Sequence, residues 1–261
     1  MPAVRGARAG VADSSDRGGR PGMGARLQGF AAPAALAFSL LAGGDARAAR
    51  PMITDDARVV DPRSCQVESW VRRSGGSSEY WALPACNLLD VEVALGGAHG
   101  RDETGALKTE VVAQAKTIIR PLEPDGWGWG VAVGNLNHPS VDSARAMLGD
   151  VYFNLPASFA FRGDDFVLHL NAGVLRERAT AQGRATWGIG SETRLGERLF
   201  LIAESFGQGG SGGFGQLGLR WWLLPERLQL DVTGGARLGE RMDGRWMSLG
   251  LRVLTDAFLP W

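Results

Sequence analysis

The sequence predicts an all-β protein, a single up-and-down antiparallel transmembrane β-barrel of about 12 strands. Apolar and polar residues alternate with period two through most of the chain after residue 65. The alternating segments are about 9–11 residues long, enough for a tilted strand to cross the roughly 25 Å apolar band of an outer-membrane barrel. An apolar export signal precedes them. Strands of soluble sheets are usually nearer to about 5–6 residues.

Composition narrows the class of protein further. The 261 residues carry 28 basic and 28 acidic side chains, and this balance argues against a nucleic-acid binder, which would show a basic excess. A hydrophobic content of 44% with 21% charge is that of an ordinary folded chain. The sequence therefore predicts a folded protein that does not bind nucleic acid.

The amino-terminal region is predicted to direct export. Residues 1–22 have no apolar periodicity and are interpreted as disordered or as a mis-assigned start. Residues 23–48 have the pattern of a secretory signal peptide: Arg26, an apolar run over 30–41, and a small-residue cleavage site ending at Ala48. The apolar run is shorter than the about 20 residues of a spanning helix. Residues 49–64 are predicted as an N-terminal periplasmic segment, and 65–261 as the outer-membrane β-barrel.

Twelve strands are predicted in order along the barrel region. An even number is expected of a bacterial single-chain barrel. Their approximate centres are Glu68, Ala82, Val93, Ala113, Val131, Phe153, Leu170, Ile189, Ile202, Leu219, Val232 and Leu251.

The polar side of each strand is predicted to line the lumen. Alternation alone does not distinguish this from a soluble barrel with an apolar interior, but the signal peptide and strand length favour the membrane. Aromatic residues near strand ends suggest interfacial girdles: Trp127, Trp129, Phe161, Trp187, Trp221 and Trp246. The predicted lumen-lining residues are Glu68, Glu92, Glu110, Gln114, Lys116, Asp150, Tyr152, Asn154, His169, Asn171, Glu192, Glu204, Arg220, Asp231, Arg237 and Arg252.

Lumen charges of both signs leave two interpretations open. They create a transverse field in a narrow pore, or they form a self-neutralising network that closes the barrel. Side chains fill barrels of about eight strands, whereas a channel opens at about 16–18, and twelve lies between.

The two cysteines are predicted to pair. Cys65 and Cys86 lie near the start of one strand and the end of the next, so a hairpin turning near Gly75 and Gly76 brings them together. Export would place them where disulfides persist.

No chemical motif rises above chance. Ser158, His169 and either Glu192 or Asp150 could converge, but these residue types favour a lumen hydrogen-bond network. We therefore predict no catalytic residues, no metal site and no cofactor.

Several stretches resemble a known family. Residues 50–57 (RPMITDDA) resemble the start of the mature chain in the outer-membrane family named after the meta-pathway of phenol degradation. Residues 151–159, 168–173, 186–190, 201–207 and 218–231 resemble its later strands in the same order. The resemblance implies a twelve-stranded barrel of transporter type. The cysteine pair and the opening over 64–70 depart from the family pattern and suggest a subgroup with different cargo.

The predicted function is an outer-membrane channel or transporter for small molecules, hydrophobic or aromatic ones among them. The alternatives are a structural or envelope-interaction barrel with a closed lumen and a lipid-modifying outer-membrane enzyme. Expected partners are outer-membrane lipid, the barrel assembly machinery and a small-molecule solute. The expected location is the outer membrane, after export by the signal peptide.

Overall fold

The computed structural model describes residues 52–140, 148–239 and 244–260. The predicted signal peptide over 23–48 and the start over 1–22 lie outside these ranges. Within them, no helix has the length and apolar character needed to cross a membrane.

Twelve strands make up the fold, and each predicted centre lies in its own strand. They are β1 (Cys65–Ser74), β2 (Ser77–Leu88), β3 (Val91–Arg101), β4 (Leu107–Arg120), β5 (Trp127–Asn137), β6 (Asp150–Phe161), β7 (Phe166–Arg176), β8 (Gly183–Arg194), β9 (Leu199–Gln208), β10 (Phe214–Leu224), β11 (Leu228–Arg237) and β12 (Trp246–Leu254).

The strands form one closed antiparallel barrel. Each pairs with its neighbours in sequence, and β12 closes the ring by pairing with β1. The register is continuous except for irregularities near Arg120 in β4 and Leu224 in β10. The prediction of an up-and-down barrel of about 12 strands is confirmed.

The two ends of the barrel differ in their connections. The end that holds the start of β1 has short turns, such as 89–90 between β2 and β3, and we call it the turn end. The opposite end, the loop end, carries the longest connections, 138–149 and 238–245. In bacterial barrels the short turns face the periplasm and the longer loops face outward.

Side chains alternate between an apolar outer face and a polar inner face. In β7, Leu170 is 36% exposed on the outside whereas its neighbour His169 is fully buried on the inside. The same alternation leaves Leu95, Ile189 and Leu249 exposed on other strands. A continuous apolar outer surface is the face that lipid covers in barrels of this kind.

The tryptophans are divided between the two faces. Trp127, Trp187 and Trp221 are exposed outside, as interfacial residues are. Trp246 was predicted to join them, but it is buried inside the barrel at 3% exposure. Its position in the period-two pattern, one residue before the outward Met247, decides its direction, and its nearness to a strand end does not.

Candidate functional site: the barrel lumen

All the predicted lumen residues lie on strands at inward positions, the parity of the most buried side chains. Most of them line one of two cavities along the barrel axis, and Gln114 lines both. A large cavity towards the loop end is lined by Glu110, Gln114, Tyr152, Asn154, Asn171 and Arg237. A small one towards the turn end is lined by Glu68, Glu92, Gln114, Lys116, His169, Glu192, Arg220, Asp231 and Arg252. Glu204 and Asp150 line neither cavity.

A stretch of chain before β1 lies between the two cavities. Residues 49–64 were predicted as a periplasmic segment, but residues 52–60, which we call the inner segment, contact inward side chains of the barrel. Thr54, Ala57 and Val60 are at most 4% exposed. The inner segment has no strand or helix of its own. Its backbone groups therefore need partners from the barrel wall once water is removed.

Side chains from β9 and β7 hold the first half of the inner segment. The Glu204 carboxylate accepts the N–H groups of Ile53, at 2.8 Å, and Thr54, at 2.6 Å. Asn171 makes a two-way contact with Asp55: its Oδ1 accepts the Asp55 N–H and its Nδ2 donates to the Asp55 carbonyl, each at 2.8 Å. The Glu204 contacts are charge-assisted and are therefore the stronger kind of hydrogen bond.

Lys116 of β4 adds an ionic anchor. Its Nζ lies 2.8 Å from the Asp55 carboxylate and 3.2 Å from that of Asp56. Removal from water disfavours the charged form of Asp56, but the ammonium of Lys116 and the nearby Arg58 outweigh it. They hold the pKa of Asp56 well below its usual range. Asp56 therefore stays ionised at ordinary pH and keeps its attraction to Lys116.

Contacts on three other strands hold the second half of the inner segment. Ser158 Oγ accepts the Ala57 N–H at 2.8 Å, and Glu92 accepts the Val60 N–H at 2.8 Å. Asn87 Nδ2 donates to the Val60 carbonyl at 2.7 Å. The inner segment is thus bound to many strands by separate polar contacts. Each contact can break without the others.

The loop-side cavity has a volume of about 1080 Å³ and reaches Ile53, Thr54 and Asp55 at its inner limit. Its wall is strongly aromatic. Trp70 and Trp81 stack with ring centroids 5.2 Å apart on β1 and β2, and Phe206 and Phe214 stack at 5.6 Å on β9 and β10. Most charges there are paired: Lys108 lies 3.2 Å from Glu79 and 3.1 Å from Glu110, and Arg184 pairs with Glu177.

The turn-side cavity is small and polar, with a volume of about 80 Å³. Arg220 of β10 bridges Glu192 and Asp231, and Gln229 adds a hydrogen bond to Asp231. Arg252 donates to Gln66 at 2.7 Å. The charges at this end of the lumen therefore neutralise one another, as the second interpretation of the lumen charges predicts.

Ser158, His169 and Glu192 do converge. Ser158 Oγ lies 2.8 Å from His169 Nδ1, and His169 Nε2 lies 3.6 Å from Glu192 Oε1. The serine is fully buried and its oxygen already accepts the Ala57 N–H, so no space remains for a carbonyl substrate. The carboxylate is engaged by Arg220. With the inner segment in place, Ser158 and His169 share a hydrogen bond, and Glu192 is bonded to Arg220 instead of to the imidazole.

Several inward polar residues were missed in the sequence. They extend the same parity, which was the available signal: Gln66, Arg72, Glu79, Asn87, Gln216, Gln229, Thr233 and Ser248. The inner segment had no such signal, because its partners are single side chains far apart in the sequence. In the part of the chain described, no group of three His, Cys, Asp or Glu is placed to hold a metal.

The predicted disulfide is present. Cys65 and Cys86 lie directly opposite each other across β1 and β2 at the turn end, and they are joined. Both occupy outward positions, so the bond lies outside the lumen.

Comparison with known proteins places this barrel in a family. A family profile described as "Uncharacterised conserved protein UCP029691" matches residues 36–254, most of the chain, and the chain belongs to that family. No curated protein matches the sequence significantly.

Solved structures share the fold at low identity. The KdgM porin has a TM-score of 0.53 and 8% identity, over 73% of this chain and 98% of its own. A COG4313 outer membrane channel from Pseudomonas putida F1 has a TM-score of 0.50 and 12% identity, over 77% and 98%. The outer membrane phospholipase A from Escherichia coli follows at 0.44 and 11%, over 80% and 97%. At these identities the likeness to the KdgM porin and the COG4313 channel establishes the outer-membrane barrel fold alone.

Proposed function

We propose that this protein is an outer-membrane channel for small molecules, and that the inner segment is its gate. The main support for this proposal is the difference between the two halves of the lumen. A cavity of about 1080 Å³ at the loop end stops at a segment that only non-covalent polar contacts hold in place. Displacement of the inner segment would join this cavity to the turn end.

The wall of the loop-side cavity favours hydrophobic or aromatic cargo. The stacked pair Trp70 and Trp81 continues into Leu83 and Val112 on the lumen face. Flat apolar molecules pack well on such rings, and the volume lies just above the about 300–1,000 Å³ of small-molecule sites.

We also propose how the protein reaches the membrane and which partners it meets there. Export by the signal peptide over 23–48 would deliver the chain to the barrel assembly machinery. Outer-membrane lipid would then cover the apolar outer face, where Leu95, Leu217 and Leu249 are exposed.

A barrel with a permanently closed lumen is the second candidate. It is favoured by how fully the inner segment is bonded, with backbone N–H groups of five residues accepted by the barrel wall. The lipid-modifying enzyme has less support, because the fully buried Ser158 has no room for an acyl group while Ala57 occupies its oxygen.

Single-channel conductance of the full-length protein in planar bilayers tests the proposal. The variant Glu204→Leu with Lys116→Met removes the acceptor and the cation that hold residues 53–56. We expect its open probability to exceed that of the wild type by about tenfold, because each lost charged contact weakens the closed state by more than about 1 kcal/mol.

The matched control is Glu110→Gln. It changes an inward carboxylate that pairs with Lys108 at the loop end, away from the anchors of residues 53–56, so this variant should open no more often than the wild type. If the Glu204 and Lys116 variant folds but shows no conductance, the protein is instead a structural barrel with a closed lumen.

A further inference from the structure

The outer face of the barrel carries a cluster of cations near the loop end. Arg73 of β1 lies opposite Ser78 of β2, which in turn lies opposite Arg101 of β3. The three residues form one row across neighbouring strands at outward positions. Both arginines are exposed.

A second row lies next to the first, two residues nearer the turn end. Tyr80 of β2 lies opposite His99 of β3, again at outward positions. Tyr80 is 50% exposed and His99 is exposed. We call Arg73, Ser78, Tyr80, His99 and Arg101 the outer basic patch. It offers two guanidinium groups with hydroxyl and imidazole groups beside them.

The outer basic patch is confined to three strands. The row continues from Arg73 to Met247 of β12 on one side and from Arg101 to Leu107 of β4 on the other. Arg176 of β7 is also exposed at the loop end, but its outward neighbours are Val151 and Gly183. Arg176 is therefore an isolated cation at a similar depth.

The arginines of the outer basic patch have no carboxylate partner in the described ranges. Arg101 donates one hydrogen bond, from Nη1 to the Gly105 carbonyl, and no ion pair involves either guanidinium. Exposed cations near the end of a lipid-covered wall extend to the membrane interface, where anionic headgroups attract them. Strands lie about 4.8 Å apart, so the two arginine backbones are about 10 Å apart, close enough for both guanidinium groups to contact one multiply charged headgroup.

We propose that the outer basic patch binds the phosphate groups of a phosphorylated glycolipid in the outer leaflet. The loop end faces that leaflet in bacterial barrels, and guanidinium groups bind phosphate through paired hydrogen bonds. The proposal depends on the outer-membrane fold and not on conduction, so it stands whether or not the lumen opens.

Lipid binding to the full-length, detergent-purified protein tests this. The probes are bisphosphorylated lipid A, the same lipid without phosphates, and phosphatidylglycerol, each titrated and read by native mass spectrometry. The variant is Arg73→Gln with Arg101→Gln, and the matched control is Arg176→Gln. We expect the double variant to lose about tenfold in affinity for lipid A, while the control binds like the wild type.

Three results would overturn the proposal: equal lipid A binding by the double variant, equal binding of the dephosphorylated lipid, or equal binding of phosphatidylglycerol. The last would indicate a general preference for anionic lipid. If the double variant does not fold, the single variants Arg73→Gln and Arg101→Gln replace it, since each changes one exposed side chain.

Discussion

At the scale of single residues, aromatic rings lie over glycines on the neighbouring strand. Trp246 pairs directly with Gly235, and Tyr152 with Gly134. A β-carbon added to either glycine would overlap the ring opposite. The ring fills the space that the glycine leaves, and this packing orients the aromatic side chain. In this orientation Trp246 donates a hydrogen bond to Gln216, and Tyr152 donates one to Gln114. Some of the 38 glycines in this chain thus serve side-chain placement.

Gly235→Ala should destabilise the barrel by about 1–3 kcal/mol, because the new methyl group forces the Trp246 ring from its position. Urea unfolding in lipid vesicles, followed by tryptophan fluorescence, measures the change. Gly183→Ala is the matched control: it also lies on a strand, nothing is within 4 Å of its added carbon, and we expect no measurable loss. Equal stability of the two variants would contradict the packing argument.

At the scale of the strand, the outward residues differ in depth. Leu170 lies in the middle of β7, whereas Val174 lies close to its loop end, and both are exposed on the outer face. A charged side chain at the bilayer midplane has no polar partner, but near the interface it reaches water and headgroups.

Leu170→Arg should therefore destabilise the folded barrel by about 2–4 kcal/mol, and Val174→Arg by only about 0–1 kcal/mol. Reversible unfolding in vesicles gives both values. Because the two sites share one strand and one face, their difference isolates membrane depth. A soluble barrel would show no dependence on depth, and that result would refute the membrane assignment.

Strand patterns were predictable because period-two alternation is a local property. Each strand carries its own apolar and polar faces, so the twelve centres and the inward parity follow from the sequence alone. The position of the inner segment was not predictable from the sequence, because it depends on where Glu204, Asn171 and Lys116 meet after the barrel closes. The inward direction of Trp246 was available from parity, but its nearness to a strand end suggested an interface.

At the scale of the whole molecule, the inner segment divides the lumen into a wide aromatic cavity and a small charged one. Ala57 lies at this division, with its N–H 2.8 Å from Ser158 Oγ. A covalent link at this point would fix the inner segment to β6 without touching the anchors Glu204 and Lys116.

The variant Ala57→Cys with Ser158→Cys, in a background of Cys65→Ser and Cys86→Ser, should conduct only after reduction. Conductance before and after adding a reductant to the same bilayer measures this. The background alone, without the new pair, should not respond to the reductant. Conduction by the oxidised, cross-linked variant would mean that solutes bypass the inner segment.

The inner segment is joined to β1 only through residues 61–64. A ligand on so short a linker remains at an effective concentration in the millimolar range, so it rebinds soon after each release. Any solute that uses the lumen must compete with this covalently attached ligand. Current through the channel should consequently arrive as brief, flickering openings, and the loss of an anchor should shorten the closed intervals between them without changing their amplitude.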